Sequence, residues 1–221
     1  KGGAGTDTMF IDRMSTLNGA DRLNLDGEGG TDYYVIQIAN AGNYIINIHD
    51  TGAPDDGIDK ATILGTGAGD TFLFRHNFVA ALHAVNAALD PLDRTYGATA
   101  ERINIDQSVN GRLVVEGLGG DDGFFLDDDP TLLTVDGGEG NDVFQVGQVF
   151  GSARDTVEGI EAVADRFQTI HTTVGWLSPG ITIPAVLYGG EGNDQFRIYA
   201  NKADLRLEGE NGNDDFLVRA F

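Results

Sequence analysis

Residues 135–146 read Val135-Asp136-Gly137-Gly138-Glu139-Gly140-Asn141-Asp142-Val143-Phe144-Gln145-Val146. Val135 on one flank and Phe144 and Val146 on the other set apolar side chains two residues apart. Alternate residues of a strand point to opposite faces, so the stretch predicts strand, acidic turn, strand, with one face buried. The turn runs from Gly137 to Asp142, and the same six-position shape ends at Asp7, Asp32, Asp70, Asp122, Asp194 and Asp214, giving seven copies. Repetition on this scale decides an architecture before any other feature does.

The copies agree at defined positions. Position one is glycine throughout: Gly2, Gly27, Gly65, Gly117, Gly137, Gly189 and Gly209. Position four is Gly5, Gly30, Gly120, Gly140, Gly192 and Gly212, with Ala68 in the third copy. Position six is always Asp. Two residues later stands an aromatic (Tyr34, Phe72, Phe124, Phe144, Phe196, Phe216), or Met9 in the first copy. Glycines in such a turn allow positive φ and a close approach of the backbone. The Asp supplies a hard oxygen and the turn carbonyls supply more, a donor set that suits Ca2+, which takes six to eight oxygens.

Gly137–Val146 and Gly189–Ile198 resemble the glycine- and aspartate-rich calcium-binding repeats of RTX (hemolysin-type) proteins, written G-G-x-G-x-D-x-U-x with U apolar. Gly2–Asp7, Gly137–Asp142 and Gly189–Asp194 match the six positions nearly completely; Glu28, Thr66, Leu118 and Glu210 depart at position two. The resemblance implies a parallel β-solenoid that folds once calcium is plentiful, as after export. It makes the ligand candidates the seven Asp side chains with the position-one glycine carbonyls and those of Gly140, Gly192 and Gly212.

The family's motifs run in tandem, two per coil, whereas here the closest Asp-to-Asp spacings are 20 residues (122 to 142 and 194 to 214). One motif per coil fits, with a plainer turn opposite. Asn18-Gly19-Ala20-Asp21, Asp56-Gly57-Ile58-Asp59, Asn110-Gly111, Asp129-Pro130, Ser178-Pro179-Gly180 and Asn201-Lys202-Ala203-Asp204 are the turn-formers in the right places. Calcium is therefore expected chiefly along one edge. From 70 onward the Asp spacings are 52, 20, 52 and 20, so a 72-residue interval recurs. That periodicity belongs to an array, and each unit of an array touches only its neighbours.

The net charge of −21, from 35 acidic against 14 basic residues, argues against nucleic acid and anionic membrane as partners. Such self-repulsion destabilises a compact state unless cations neutralise it. There is no cysteine, which suits an extracellular bacterial protein held by metal and also a cytosolic one. No apolar run approaches membrane-spanning length. Lys1 directly precedes a motif glycine and Phe221 closely follows a motif strand, so the chain is expected to be a segment of a longer repetitive protein.

Two stretches, near 75–109 and 147–182, interrupt the coils. Phe78, Val79, Leu82, Val85 and Leu89 fall at helical spacing before Pro91, and Val157, Ile160, Val163, Ala164 and Phe167 form a similar set. Short helices on the array are predicted there. His76 and His83 are expected to pack rather than bind metal, and Trp176 to anchor its loop. Asp50-Thr51-Gly52-Ala53 resembles an aspartic-protease signature, and the carboxylates of Asp121, Asp122 and Asp127 to Asp129 resemble a glycosidase pair; turn formation accounts for both.

The expected fold is thus all-β: a parallel β-solenoid of the β-roll or β-helix kind, with coils of about 20 residues and two short insertions, forming a single segment over 1–221. The expected function is calcium-dependent and structural or adhesive, outside the cell or on its surface, with end-to-end self-association or neighbouring repeats as partners. The rival readings are a carbohydrate- or surface-binding module and a polysaccharide-acting enzyme.

Overall fold

The computed structural model describes residues 1–17, 21–53, 56–86, 88, 90–150 and 167–219. The described residues are all-β, with parallel strands dominant: strand makes up 55% and helix 2% of them. One seven-stranded sheet is wholly parallel and one nine-stranded sheet is mixed. They are called sheet one and sheet two below.

The chain alternates between them. β1 (Gly3–Gly5) lies in the first acidic turn and β2 (Thr8–Asp12) in sheet one. β3 (Leu23–Asp26) enters sheet two, and β4 (Glu28–Gly30), in the second turn, pairs in parallel with β1. β5 (Tyr33–Gln37) is in sheet one, β6 (Tyr44–His49) in two, β7 (Lys60–Thr66) in one. β8 (Thr71–Arg75), β9 (Phe78–Ala84) and β10 (Tyr96–Ile105) all lie in sheet two. Strict alternation resumes with β11 (Arg112–Leu118), β12 (Gly123–Leu126), β13 (Leu132–Glu139) and β14 (Val143–Val146). β15 (Ile170–Thr172) and β16 (Gly175–Leu177) form a separate antiparallel ribbon. β17 (Ala185–Glu191), β18 (Gln195–Ile198), β19 (Leu205–Asn211) and β20 (Asp215–Val218) complete the two sheets in turn.

The period-two pattern sets the register. Val135 lies opposite Val115 and Leu187, and Phe144 opposite Phe124 and Phe196, so the short and the long repeat interval both keep equivalent side chains on one face. Those inward residues merge into one core shared by both sheets. The motif aromatics form a file in it: Phe72, Phe124, Phe144, Phe196 and Phe216 stack with ring centroids 4.7–5.5 Å apart, the offset-stacked distance aromatic pairs favour.

The acidic turns do not share one edge, contrary to expectation. In the third to seventh copies the strand before the turn is in sheet one (β7, β11, β13, β17, β19) and the strand after it in sheet two. In the second copy the order is reversed: β3 of sheet two leads to β5 of sheet one. The first copy likewise leads into β2 of sheet one and pairs with the second. Copies one and two therefore stand on the opposite edge from copies three to seven. Beside them stack the plainer turns: the Asp32 carbonyl accepts from Lys60 N–H, and the Asp59 carbonyl from Gly111 N–H. Of the six opposite turns expected, Asn18-Gly19-Ala20 lies outside the described residues.

The first interruption is not helical. Phe78 to Ala84 is a strand, antiparallel to both β8 and β10, and it is buried on both faces. Val79 and Ala81 face the main core, while Phe78, Ala80 and Leu82 face a second cluster with Leu73, Ala100 and Phe125. A two-faced apolar strand supplies apolar residues at helical offsets without being a helix, and here lateral pairing prevails. Among the described residues helix is confined to a 3-10 turn at Pro91–Asp93, whose first turn Asp90 caps through Leu92 N–H. Leu89, Val157, Ile160, Val163 and Ala164 lie outside the described residues. Phe167 lies under the Arg75 guanidinium, 4.8 Å from ring centroid to cation.

The second interruption is as long as the first but differently built, since its described part adds no strand to sheet two. It packs on the same outer face, however: Phe150 meets Phe125 at 4.1 Å and Tyr96 at 5.4 Å. Trp176 is 41% exposed beside His171, not the buried anchor expected. No helix among the described residues is long and apolar enough to cross a membrane.

Candidate metal centre

The strands run on into the turns. Gly138 pairs with Gly190 and Glu139 with Glu191, so the ladder continues through position three. Position two then takes a left-handed φ, at Gly138 (97°) and Gly190 (103°) but also at Glu28 (73°), Leu118 (75°) and Glu210 (69°). The copies with Glu28, Leu118 and Glu210 there keep the turn's shape at a cost of about 1–2 kcal/mol each, whereas Thr66 of the third copy does not take a left-handed φ.

The Asp side chains point inward. Asp32, Asp70, Asp122, Asp142 and Asp194 are all at most 1% exposed. Each links to a neighbouring turn by one repeated contact, main-chain N–H to the next carboxylate. In the longer row Asp70 N–H donates to Asp122 Oδ1 (2.6 Å), Asp122 to Asp142 (2.7 Å), Asp142 to Asp194 (2.8 Å) and Asp194 to Asp214 (3.1 Å). In the shorter row Asp7 N–H donates to Asp32 Oδ1 (2.8 Å) and Asp32 to Asp59 Oδ1 (2.9 Å); Asp59 then donates to Asn110 Oδ1 (3.0 Å). Asp59 and Asn110 come from plain turns and extend the row that copies one and two begin. Their signal in the sequence is a spacing: Asp59 follows Asp32 at nearly the interval at which Asp32 follows Asp7.

One oxygen of each carboxylate is used in this way and the other is not. Asp32 Oδ2, Asp59 Oδ2, Asp122 Oδ2, Asp142 Oδ2 and Asp194 Oδ2 are buried without a hydrogen-bond partner. Asp70 begins its row differently: its Oδ2 accepts from Thr66 N–H at 2.6 Å, and Oδ1 is the buried oxygen without a partner. Beside these oxygens lie the position-one glycines. A Cβ on Gly137 would stand 2.1 Å from Asp142 Oδ2 and 2.4 Å from the Gly189 carbonyl, and one on Gly117 as close to Asp122 Oδ2 and the Gly137 carbonyl. Gly189 and Gly2 repeat the arrangement with the carbonyls of Gly209 and Gly27. Gly27, Gly65 and Gly209 likewise face the carboxylates of Asp32, Asp70 and Asp214. Gly2, Gly65, Gly117, Gly137 and Gly189 thus mark where a carboxylate oxygen and a neighbouring turn's carbonyl converge. Gly140, Gly192 and Gly212 form a separate file in which each meets the carbonyl of the position-four glycine before it. No carboxylate is among the atoms nearest a Cβ added at any of the three.

Burial in a row raises the carboxyl pKa values. Asp122 is pushed up to about 9 and Asp142 to about 7, by burial first and by neighbouring motif carboxylates second. Burial likewise lifts Asp70 and Asp194 to about 6. Asp59 is raised to about 6 by burial and by the Asp50 carboxylate that faces it. The all-oxygen donor set and the unpartnered buried oxygens fit a hard cation. Among the described residues no three His, Cys, Asp or Glu side chains gather at one point. The carboxylates come one per turn, so any ion's remaining ligands would be main-chain carbonyls.

The other acidic and histidine candidates are tied into turns. Asp127 pairs with Arg75 at 3.0 Å, both fully buried. Asp129 accepts from Thr182 N–H (2.7 Å) and Ile183 N–H (3.1 Å), and Asp128 accepts from Thr182 Oγ1 at 2.5 Å. Asp50 Oδ1 accepts from Gly52 N–H within the connection from β6 to β7. His83 lies 3.2 Å from Glu101, while His76 is largely exposed, 3.6 Å from Asp128. Glu101, which the sequence did not single out, is fully buried and accepts from Ala39, Ala41 and Gly42 N–H and from Tyr44 Oη.

In comparisons with known proteins, no family model, no curated protein and no solved structure matches this chain.

Proposed function

We propose that this chain is a segment of a calcium-loaded parallel β-solenoid, with a structural or adhesive role outside the cell or at its surface. The observation that carries the reading is the buried file of motif carboxylates, each with one oxygen left without a partner. Like charges stacked one per turn repel, and a divalent cation between turns removes the repulsion. Asp7, Asp32, Asp70, Asp122, Asp142, Asp194 and Asp214 are the carboxylate ligands in this reading, joined by the position-one carbonyls that converge on them. Binding free energy then becomes folding free energy. An ion abundant outside cells would make folding follow export. Assembly end to end, or onto neighbouring repeats, belongs to the same reading.

Circular dichroism and melting in EDTA and then in millimolar calcium test the proposal, which expects the fold to depend on the ion. Asp142→Ala should weaken binding at two adjacent positions, because Asp142 links the turns of Asp122 and Asp194. An unchanged number of ions with an unchanged calcium midpoint in that variant would sink the reading.

A second reading, a carbohydrate- or surface-binding module, is favoured by Trp176, whose half-open ring stands on the β15–β16 ribbon. It is the only tryptophan, so its fluorescence during a polysaccharide titration reports on that ring alone. Tyr96, half-buried against Phe150, does not offer a comparable face.

A further inference from the structure

We propose that Arg94 is a built-in cation of the acidic stack: its guanidinium joins the third and fourth turns where the other intervals of the row take a divalent ion. The inference rests on the calcium reading above. The loop between β9 and β10 delivers this side chain. Asp90 caps the 3-10 turn Pro91–Asp93, and Asn86 clamps the loop by accepting from Thr95 N–H and donating to the Asp93 carbonyl. Arg94 Nη1 donates to the Asp70 carbonyl (2.6 Å) and Thr71 Oγ1 (3.0 Å), and Nη2 donates to the Asp121 carbonyl. One planar cation thus gathers three oxygens from two neighbouring turns, and its charge acts on the carboxylates of both Asp70 and Asp122. A fork of donors in fixed geometry suits such bridging better than an ammonium would.

The third copy is altered to admit it. Position five is Gly69, and a Cβ there would stand 2.5 Å from Arg94 Nη2. Position five is Asp121 in the fourth copy and Asn in the fifth to seventh, and their side-chain oxygens bridge the turns: Asn141 N–H donates to Asp121 Oδ1, Asn193 N–H to Asn141 Oδ1, and Asn213 N–H to Asn193 Oδ1. That file ends at Asp121, where Arg94 takes over. The sequence repeats Asp93-Arg94 as Asp165-Arg166, at the recurring 72-residue interval. Asp165 and Arg166 lie outside the described residues, and the inference is confined to Arg94.

The test counts calcium ions per chain by equilibrium dialysis in the wild type, Arg94→Gln and Arg94→Lys, and melts each in EDTA and in calcium. Arg94→Gln is expected to bind one ion more than the wild type, to melt lower in EDTA, and to recover most of the loss in calcium. Arg94→Lys, which keeps the charge without the fork, should fall between. An equal ion count in wild type and Arg94→Gln, with the same loss of stability in both conditions, would reduce Arg94 to a loop clamp and overturn the proposal. So would an Arg94→Gln chain that stays unfolded in calcium. A wild type that binds no calcium overturns the calcium reading itself, an outcome visible before any variant is compared.

Discussion

Stripped of divalent ions, the protein is expected to be more stable at pH 5 than at pH 8 and to lose its fold between them. The motif carboxyls have folded-state pKa values raised above the ordinary 3.8, to about 6 for Asp70 and Asp194, about 7 for Asp142 and about 9 for Asp122. Between the unfolded and folded values the native chain holds more protons than the unfolded chain, so stability falls as pH rises through that window. Each group costs about 1.4 kcal/mol per pH unit within it. With several groups titrating together, the loss from pH 5 to pH 8 is about 5 kcal/mol or more, comparable with the whole stability of a domain. Calcium should reverse the trend. An ion favours the ionised carboxylate, so its stabilising effect grows with pH, and its uptake near neutrality releases protons. Melting curves at both pH values, with EDTA and with calcium, check the sign. A chelated protein that is as stable at pH 8 as at pH 5 would mean the carboxylates are neutralised by some other means.

Gly137→Ala is expected to be strongly destabilising. The added methyl would lie 2.1 Å from Asp142 Oδ2 and 2.4 Å from the Gly189 carbonyl, and the carbonyl belongs to a strand that cannot retreat from the ladder. Displacing Asp142 also takes away the acceptor of Asp122 N–H. Overpacking of this kind together with a lost buried hydrogen bond costs about 3 kcal/mol or more. Gly67→Ala is the control: nothing lies within 4 Å of the new methyl and φ there is ordinary, so a change within about 0.5 kcal/mol is expected. Urea unfolding of the two variants under one set of conditions gives the comparison. Equal losses would show that the position-one glycine answers to something other than the carboxylate beside it.

The period-two flanks of the motif made the strands, their buried faces and the aromatic file legible, because a residue's face follows from its parity alone. The buried row of Asp side chains was legible as residues but not as geometry. Calcium chemistry singles out the Asp at position six, yet nothing in the letters says that its side chain points inward to cap the next turn. The change of edge was written only in a spacing. The interval from Asp32 to Asp70 is about one and a half times that from Asp7 to Asp32, which places the two turns on opposite sides. β9 was misread because both its faces are covered, which erases the alternation that identifies a strand. Arg94 left one trace, a glycine at position five of a single copy, whose reason lies beyond two further strands, in the β9–β10 loop.

Nine strands in one sheet face seven in the other. Neighbouring strands stand about 4.8 Å apart, so one wall of this protein is taller than the other by about 10 Å. The surplus is concentrated in the β9–β10 hairpin, wedged between β6 and β8. Where the wedge enters, Glu101 fills the opened seam by capping the loop at Ala39 to Gly42. Unequal walls are expected to lean toward the shorter one where such a wedge enters. β14 and β18 are direct neighbours across the second interruption, so nothing comparable happens there. A wedge inserted once is expected to bend the stack once, and the acidic turns change edge across it, copies one and two lying on one side and copies three to seven on the other.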